Sequence, residues 1–239
     1  MKNWIILGAS ALVVAGCGSG GGGSYKPEAV KTVEPAKVAP GEEKSLYPLA
    51  VGNQWTYTLT QSGTVNGAQR TASSEAVFKV TAIKPVGDGV QANIEVSIGG
   101  TLSEKQVWLV DSKGIFQMVG GAPAITFTPS QPQILFPPET GRKFSWKGVG
   151  PVAGQPTPDG RPTPMKPGSI SASYEILGPQ TVDTDMGPIS AIAVQSSATM
   201  TVNGKQVSTP SITWWAPKVG LVRFVTNNTI LKLKTYSAK

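Results

Sequence analysis

Histidine is absent from this 239-residue chain, and Cys17 is its only cysteine. Without histidine the chain has no Ser-His-Asp or Cys-His catalysis and lacks the ligand that most zinc and iron sites use. A lone cysteine forms no disulfide within the chain. Catalysis would depend on carboxylate pairs or Ser-Lys arrangements, and metal binding on oxygen ligands. We therefore predict a protein that is not an enzyme and that holds neither a cofactor nor a resident metal.

Charged residues are also scarce, at 15% of the chain, whereas glycine (28) and proline (20) are abundant. This composition is rich in turns and leaves few runs long enough to hold a helix. The net charge of +7 suits anionic lipid headgroups or acidic glycans as well as nucleic acid. The sequence has no run of five like charges, so we expect the excess to be scattered over a solvated surface.

No apolar run reaches the roughly 20 residues that a membrane span needs. Residues 4–15 form an apolar stretch of about a dozen residues behind a basic start, and Val14-Ala15-Gly16-Cys17 ends it with small residues. This ending resembles the lipobox of bacterial lipoproteins. The resemblance implies that residues 1–16 are a signal peptide and that Cys17 is acylated on its thiol and usually on its new amine. Two or three acyl chains attach a protein to a membrane effectively permanently.

The segment behind the cysteine, residues 17–45, is predicted to be a flexible tether. Residues 18–24 are a Gly/Ser run, and residues 25–44 mix Pro, Lys, Glu, Ala and Val without a period. Because Gly18 rather than Asp follows the cysteine, the lipoprotein resemblance implies the outer membrane rather than the inner one. We expect a lipid-anchored protein of the cell envelope, where nucleic acid is not an expected partner.

An internal repeat is predicted in the remaining domain, residues 46–239. Residues 46–57 align with 135–146, matching Leu, Pro, Gly and every aromatic position, and Trp108 aligns with Trp214 in a second anchor. The halves would be 46–134 and 135–239, with a Pro/Gly-rich insertion, 148–168, in the second. Two unrelated pairs of aromatic-rich strands are the alternative.

Each half has the pattern of β-strands. Residues 90–98 alternate apolar and polar side chains, which is typical of a strand with one buried face. Asn66-Gly67 and Asn203-Gly204 favour two-residue hairpin turns, because this pair accepts positive φ. Residues 231–234 alternate leucine and lysine. We predict an all-β antiparallel domain of about eleven strands, as a barrel, half-barrel or sandwich.

Two motifs carry a resemblance to known families. Residues 47–57, Tyr-Pro-Leu-Ala-Val-Gly-Asn-Gln-Trp-Thr-Tyr, and residues 214–223, Trp-Trp-Ala-Pro-Lys-Val-Gly-Leu-Val-Arg, resemble an uncharacterised group of bacterial secreted β-proteins and lipoproteins. The two motifs bracket nearly the whole domain, and they are structural rather than catalytic. The strand count is also similar to that of the LolA/LolB-type lipoprotein carriers, which curve a sheet around acyl chains and cover its concave face with helices. The sequence predicts no such helices, which disfavours a carrier role.

Trp215 is the main candidate for ligand binding. Trp55, Trp108, Trp146 and Trp214 occupy repeat-anchor positions, where core packing is expected. Neighbouring residues in a strand face opposite sides, so Trp215 would line the other face from Trp214. That face is either a solvent-facing binding surface or the second buried face of a curved sheet.

The insertion 148–168 is a candidate recognition segment for an envelope protein. Its six prolines exclude a helix and an interior strand, and Arg161 and Lys166 give it positive charge. An extended Pro-rich segment suits peptide-type recognition. A surface loop without a function is the alternative.

Acidic residues suggest two further sites, and neither is favoured. Asp183-Thr184-Asp185 near Gly187 has oxygen ligands for calcium, but a turn explains it better. Five glutamates are candidates for a carboxylate pair, and no local spacing selects any of them. These are Glu75, Glu95, Glu104, Glu139 and Glu175. The predicted function is binding of an apolar or lipid-like ligand or of an envelope protein, with a structural or assembly role and a carboxylate hydrolase as alternatives.

Overall fold

A computed structural model describes residues 33–65, 68–152, 165–202 and 205–239. These residues form one short 3-10 helix, Glu43–Leu46, and twelve strands. The strands are β1 (Gln54–Val65), β2 (Ala68–Val86), β3 (Gly89–Ile98), β4 (Thr101–Val110), β5 (Gly114–Gly120), β6 (Ile125–Leu135), β7 (Lys143–Val152), β8 (Lys166–Thr184), β9 (Gly187–Val202), β10 (Lys205–Ala216), β11 (Gly220–Thr226) and β12 (Thr229–Ser237). No helix in these ranges has the length and apolar character that crossing a bilayer requires.

The strands form a closed antiparallel barrel in which each pairs with its neighbours in the chain, and β1 pairs with β12. The all-β antiparallel prediction is confirmed, and the described residues contain one strand more than the predicted eleven. Among the three architectures that the sequence left open, the fold is the barrel. It differs from a sheet covered by helices, since the described residues contain no α-helix.

Local sequence patterns predict the strands and the positions of two hairpins. In β3 the side chains of Ala92, Ile94, Val96 and Ile98 are buried, while those between them are half-buried or exposed. The predicted alternation therefore holds, except that Val90 is only half-buried. Val65 pairs with Ala68 and Val202 with Lys205, so hairpins form at both predicted positions, while the Asn-Gly pairs themselves lie outside the described residues.

The chain before β1 closes one end of the barrel, which we call the plugged end. Leu46 and Tyr47 are buried there, and the Lys218 backbone N–H donates to the Ser45 carbonyl at 2.7 Å. Earlier residues also contact the barrel, because the Ala36 N–H donates to the Ser190 hydroxyl. Residues 33–45 of the predicted tether thus lie against the domain, and residues 17–32 lie outside the described ranges.

The two halves of the barrel share a hydrogen-bonding pattern at the plugged end. The Gly52 N–H donates to the Val80 carbonyl at 2.9 Å, and the Gly141 N–H donates to the Ile176 carbonyl at 2.7 Å. The return bonds, from Val80 N–H to the Asn53 carbonyl and from Ile176 N–H to the Arg142 carbonyl, also correspond. A common origin of the halves stays a prediction, and these bonds are what a duplication would produce.

The Pro-rich insertion is shorter than the predicted loop 148–168. Its first residues belong to β7 and its last to β8, where Pro151 pairs with Pro167. A proline is tolerated in a strand wherever its missing N–H has no ladder partner. Pairing of β8 with β9 begins at Ile170, and pairing of β7 with β6 occurs at Val149, so both prolines lie beyond those ladders. Residues 153–164 lie outside the described ranges.

Candidate ligand site inside the barrel

Four aromatic rings pack together inside the plugged end. Tyr47 lies in the middle, with ring-centroid distances of 5.2 Å to Trp55, 5.2 Å to Trp108 and 5.4 Å to Trp215. The tryptophans belong to β1, β4 and β10, which are not neighbours in the barrel, so their rings point inward. We call Tyr47, Trp55, Trp108 and Trp215 the aromatic cluster. It fills the interior at this end with apolar surface.

The structure buries both of the adjacent tryptophans, on opposite faces of β10. Trp215 is 1% exposed in the aromatic cluster, and its indole N–H donates to the Thr213 hydroxyl at 3.0 Å. Trp214 faces outward, where its N–H donates to Gln180 at 3.1 Å and its ring lies 6.0 Å from the Arg223 guanidinium. The expected burial of Trp214 is confirmed, and of the two options for the Trp215 face the structure shows a second buried face rather than a solvent-facing surface. Because a part of the chain distant in sequence covers Trp214 on the outer face, burial alone does not distinguish the inner face of β10 from the outer one.

The other predicted site residues do not join Trp215. Lys166 is exposed at the first residue of β8. Arg161 and Cys17 lie outside the described residues, so their predicted roles stay predictions.

The Asp183-Thr184-Asp185 segment forms a turn and an ion-pair network. The Thr184 hydroxyl donates to the Gly187 carbonyl at 2.7 Å, and both aspartates bind the Lys232 ammonium. Among the described residues no group of three or more acidic, histidine or cysteine side chains is arranged to hold a metal ion.

Three buried glutamines line the inner wall next to the aromatic cluster. Gln106, Gln117 and Gln131, which we call the glutamine cluster, are 1%, 0% and 6% exposed. On β4, Gln106 has the same phase as the inward Trp108. Gln117 lies directly opposite Trp108 on one side and Gln131 on the other. The cluster therefore spans β4, β5 and β6 beside the Trp108 ring.

Sequence reasoning did not find the glutamine cluster, although β4 carries a signal for part of it. Glu104, Gln106 and Trp108 occupy alternate positions of one strand, so they share a face. A polar residue in phase with an anchoring tryptophan marks a polar patch on a buried wall. Glu104 is buried too, and its Oε1 accepts a hydrogen bond from the Gly121 N–H.

Each glutamine of the cluster uses only part of its hydrogen-bonding capacity. The Trp108 indole N–H donates to Gln106 Oε1 at 2.7 Å, Gln117 Nε2 donates to the Val119 carbonyl at 3.2 Å, and Gln131 Nε2 donates to the Tyr174 hydroxyl at 2.9 Å. Within the described residues, Gln106 Nε2, Gln117 Oε1 and Gln131 Oε1 have no partner. A buried polar group left without a partner costs about 1–3 kcal/mol.

Tyr174 forms the far side of the polar wall. Its ring stacks on Phe144 with centroids 4.6 Å apart, and burial raises the pKa of its hydroxyl. The hydroxyl is therefore neutral at physiological pH and both donates and accepts. The glutamine amides and the Tyr174 hydroxyl thus offer hydrogen bonds from neutral groups.

The barrel wall is interrupted beside the glutamine cluster. Within the described ranges, β6 and β7 share only one paired position, Thr128 with Val149. Residues 127–130 of β6 bulge away from β5, because Gln131 pairs with Gln117 and Thr126 with Val119. The Trp146 indole N–H spans this seam and donates to the Pro129 carbonyl at 3.2 Å. Side chains thus replace a regular backbone ladder at the seam.

The barrel has more strands than the small barrels whose interiors side chains fill. Side chains or one small ligand fill the interior of an eight-stranded barrel, and the diameter grows with strand number. The described strands number twelve, and several buried inward positions carry only a methyl group. These are Ala76, Ala92 and Ala172.

Comparisons with known proteins find distant structural similarity. No protein-family model matches the chain, and no curated protein matches it. A predicted exported protein with a YmcC-like fold from Bacteroides fragilis is similar in structure, at 13% identity and a TM-score of 0.46, over 80% of this chain and 98% of that one. A predicted lipoprotein from Parabacteroides distasonis is similar at 12% identity and a TM-score of 0.46, over 80% of this chain and 98% of that one. The hypothetical lipoprotein YmcC from Escherichia coli is similar at 12% identity and a TM-score of 0.35, over 84% of this chain and 96% of that one.

Proposed function

We propose that this chain is a lipid-anchored envelope protein, not an enzyme, whose barrel holds an amphipathic ligand. The apolar part of the ligand packs beside Trp108 and the aliphatic inner wall, and its polar part meets the glutamine cluster. The observation that carries the proposal is the set of three buried amide atoms without a partner in the described residues.

Membrane attachment in this proposal depends on the N-terminal sequence. The lipobox-like run ending at Cys17 supports acylation there, and Gly18 supports the outer membrane over the inner one. The described residues 33–45 then run along the barrel to the plugged end. A domain attached in this way works close to the bilayer surface.

A ligand explains the glutamine cluster better than a purely structural role does. A barrel selected only for stability gains by apolar inner residues, since each unpartnered amide atom costs free energy. A bound polar group or ordered water satisfies such atoms. The packed aromatic cluster supports the structural alternative at the plugged end only.

The glutamates give less support to a hydrolase. Glu75, Glu95 and Glu175 each form an exposed ion pair with a different lysine, at 2.9, 3.4 and 3.6 Å. Catalytic pairs instead place two carboxyl groups about 5–10 Å apart across one cleft. These three carboxylates lie on the outside of different strands, and each is already paired with a lysine.

The test is a native mass spectrum of the acylated full chain, extracted from bacterial envelopes in a mild detergent. We expect an extra mass that leaves on denaturation and dissolves in organic solvent. The Gln117→Met variant should lose this mass, because it keeps the volume and removes the acceptor. The matched control is Gln91→Met, which changes the residue next to inward Ala92. This variant should retain the extra mass. A spectrum with only the acylated chain would contradict the proposal.

A further inference from the structure

The chemistry of the fixed partners determines which atom of each glutamine is free. An indole N–H only donates, so the atom of Gln106 that meets Trp108 must be its amide oxygen. A backbone carbonyl only accepts, so the atom of Gln117 that meets Val119 must be its amide nitrogen. Gln106 therefore presents a free donor, Nε2, and Gln117 a free acceptor, Oε1.

Gln131 is adaptable. Its partner, the Tyr174 hydroxyl, both donates and accepts, so either orientation of the Gln131 amide keeps that hydrogen bond. The third member of the cluster can thus offer an acceptor or a donor to whatever lies beside Gln117. Gln131 therefore adds a hydrogen-bonding group without determining whether a ligand must donate or accept there.

The two fixed atoms lie on adjacent strands and flank one aromatic ring. Gln117 is directly opposite Trp108, and Gln106 is two residues before Trp108 on β4. The β4–β5 register shifts between Val107 and Trp108, so the two glutamines lie on opposite sides of a bulge in this pairing. A complementary ligand group must accept a hydrogen bond from Gln106 on β4 and donate one to Gln117 on β5, using two separate atoms. Its apolar part must pack against the Trp108 indole.

We propose that the ligand presents a secondary amide to Gln106 and Gln117, with its carbonyl accepting from Gln106 Nε2 and its N–H donating to Gln117 Oε1. This inference rests on the proposed function. An ester or ketone supplies no donor, and an alcohol supplies both roles at a single oxygen. An ammonium group supplies no acceptor for Gln106 Nε2, and a carboxylate supplies no donor for Gln117 Oε1. Amide-linked acyl chains and peptides share the required chemistry.

The test uses short, water-soluble probes with the acylated full chain in detergent, because short probes partition little into micelles. Isothermal titration calorimetry compares N-methylhexanamide, methyl hexanoate and hexanol. We expect the amide to bind about tenfold to a hundredfold more tightly than the ester, since the ester leaves Gln117 Oε1 unpaired. In Gln117→Met this preference should vanish, and in Gln91→Met it should persist. The probe series on the unaltered chain is informative even if a variant does not fold.

A second probe distinguishes the two sources of an amide. N-acetylalanine methylamide carries peptide amides without an alkyl chain. Tighter binding of N-methylhexanamide indicates an acyl amide, and tighter binding of the dipeptide analogue indicates a peptide. Equal binding of amide, ester and alcohol overturns the amide inference and leaves the proposed function in place, provided that the native spectrum shows a bound ligand. A spectrum without a ligand, together with no probe binding, overturns both.

Discussion

Trp215 packs edge-on against Tyr47, with ring centroids 5.4 Å apart and ring planes at 73°. Tyr47 comes from the segment before β1, whereas Trp215 comes from β10, so the contact joins the N-terminal plug to the second half of the barrel. The Trp55 indole N–H donates to the Val219 carbonyl in the same region. The plug is therefore part of the core rather than an appended tail.

Removing the central ring of the aromatic cluster should destabilise the whole barrel. For Tyr47→Ala we expect a loss of about 3–5 kcal/mol in the free energy of unfolding, because the cavity is surrounded by rings that cannot close it. Urea denaturation followed by tryptophan fluorescence measures this. Val51→Ala, at a side chain that is 51% exposed, is the control and should change stability little. A loss below about 1 kcal/mol for Tyr47→Ala would contradict a core role for the plug.

An ion-pair network joins the β8–β9 hairpin to the outside of β12 and β1. The Lys232 ammonium lies 2.6 Å from Asp183 and 3.1 Å from Asp185, and the Thr58 hydroxyl donates to Asp185 at 2.6 Å. A double-mutant cycle with Asp185→Asn and Lys232→Met should give a coupling of about 0.5–1 kcal/mol, since these groups are partly shielded and share a network.

The control for this coupling is the Lys105–Glu95 pair, which is more exposed. Its side chains are 67% and 40% exposed, against 29% and 33% for Lys232 and Asp185. The same cycle there should give a coupling near zero, because water screens the pair. Equal couplings at the two sites would show that the partial shielding of the Lys232–Asp185 pair does not strengthen it.

The contribution of Asp185 should depend on pH with a definite sign. Burial alone raises the pKa of Asp185, but hydrogen bonds from Thr58 and Lys232 outweigh it and hold the pKa below its ordinary value. A carboxyl with a lowered folded-state pKa stabilises the fold above its unfolded pKa of about 3.9, and this stabilisation disappears as pH falls through the folded-state pKa. The difference in unfolding free energy between the wild type and Asp185→Asn should thus be constant near neutral pH and shrink below about pH 4.

The alkaline limit of the same network is set by the lysine. The hydrogen bond to Asp183 raises the pKa of Lys232 above its ordinary value, with a further contribution from Asp185. Its stabilisation is complete below the unfolded pKa of about 10.4 and is lost as pH rises through the folded-state pKa. A stability difference for Lys232→Met that grew with alkalinity would have the opposite sign and would exclude this pairing.

Gly178 should be sensitive to substitution for two separable reasons. It lies at the bulge in the β8–β9 pairing with φ of 85°, and an added Cβ would meet the Thr140 side chain. We expect Gly178→Ala to cost about 2 kcal/mol or more, from backbone strain plus the collision. Gly187 has φ of 101°, and an added Cβ there would meet nothing within 4 Å, so Gly187→Ala should show the strain alone, about 1 kcal/mol. Chemical denaturation of both variants gives the difference, and equal costs would rule out the Thr140 collision.

Replacing the predicted lipidation site should release the protein from membranes. Cys17→Ser should shift the chain from the membrane pellet to the soluble fraction and remove the acyl mass, because only the thiol of cysteine accepts the thioether-linked lipid of lipoproteins. Gly18→Asp is the companion variant, and the lipoprotein resemblance predicts that it stays acylated but moves toward the inner membrane. A Cys17→Ser protein that remained in the pellet would contradict lipid anchoring at this residue.

How far the sequence predicts this fold depends on the range of the interaction concerned. The alternation in β3 and the hairpins predicted around residues 66–67 and 203–204 depend on neighbouring residues, and the alternation and the pairing of the flanking strands are confirmed. Strand geometry predicts only that Trp214 and Trp215 face opposite sides, so the sequence left open whether the Trp215 face is solvent-exposed or buried. Which side is inner depends on Tyr47, and which outer residue is covered depends on Gln180, both distant in the chain.

The candidate site could be predicted only in part for the same reason. The phase of Gln106 with Trp108 is visible within β4, but Gln117 and Gln131 join them only through the register of β4, β5 and β6. The sequence by itself determined the lipobox-like N-terminus, the all-β class, the hairpins and the exclusion of histidine chemistry, because composition and short-range backbone preferences encode these properties. Tertiary structure decided the closure of β1 on β12, the inward face of each strand and the burial of three amides in one wall, because pairing between distant strands determines which side chains meet.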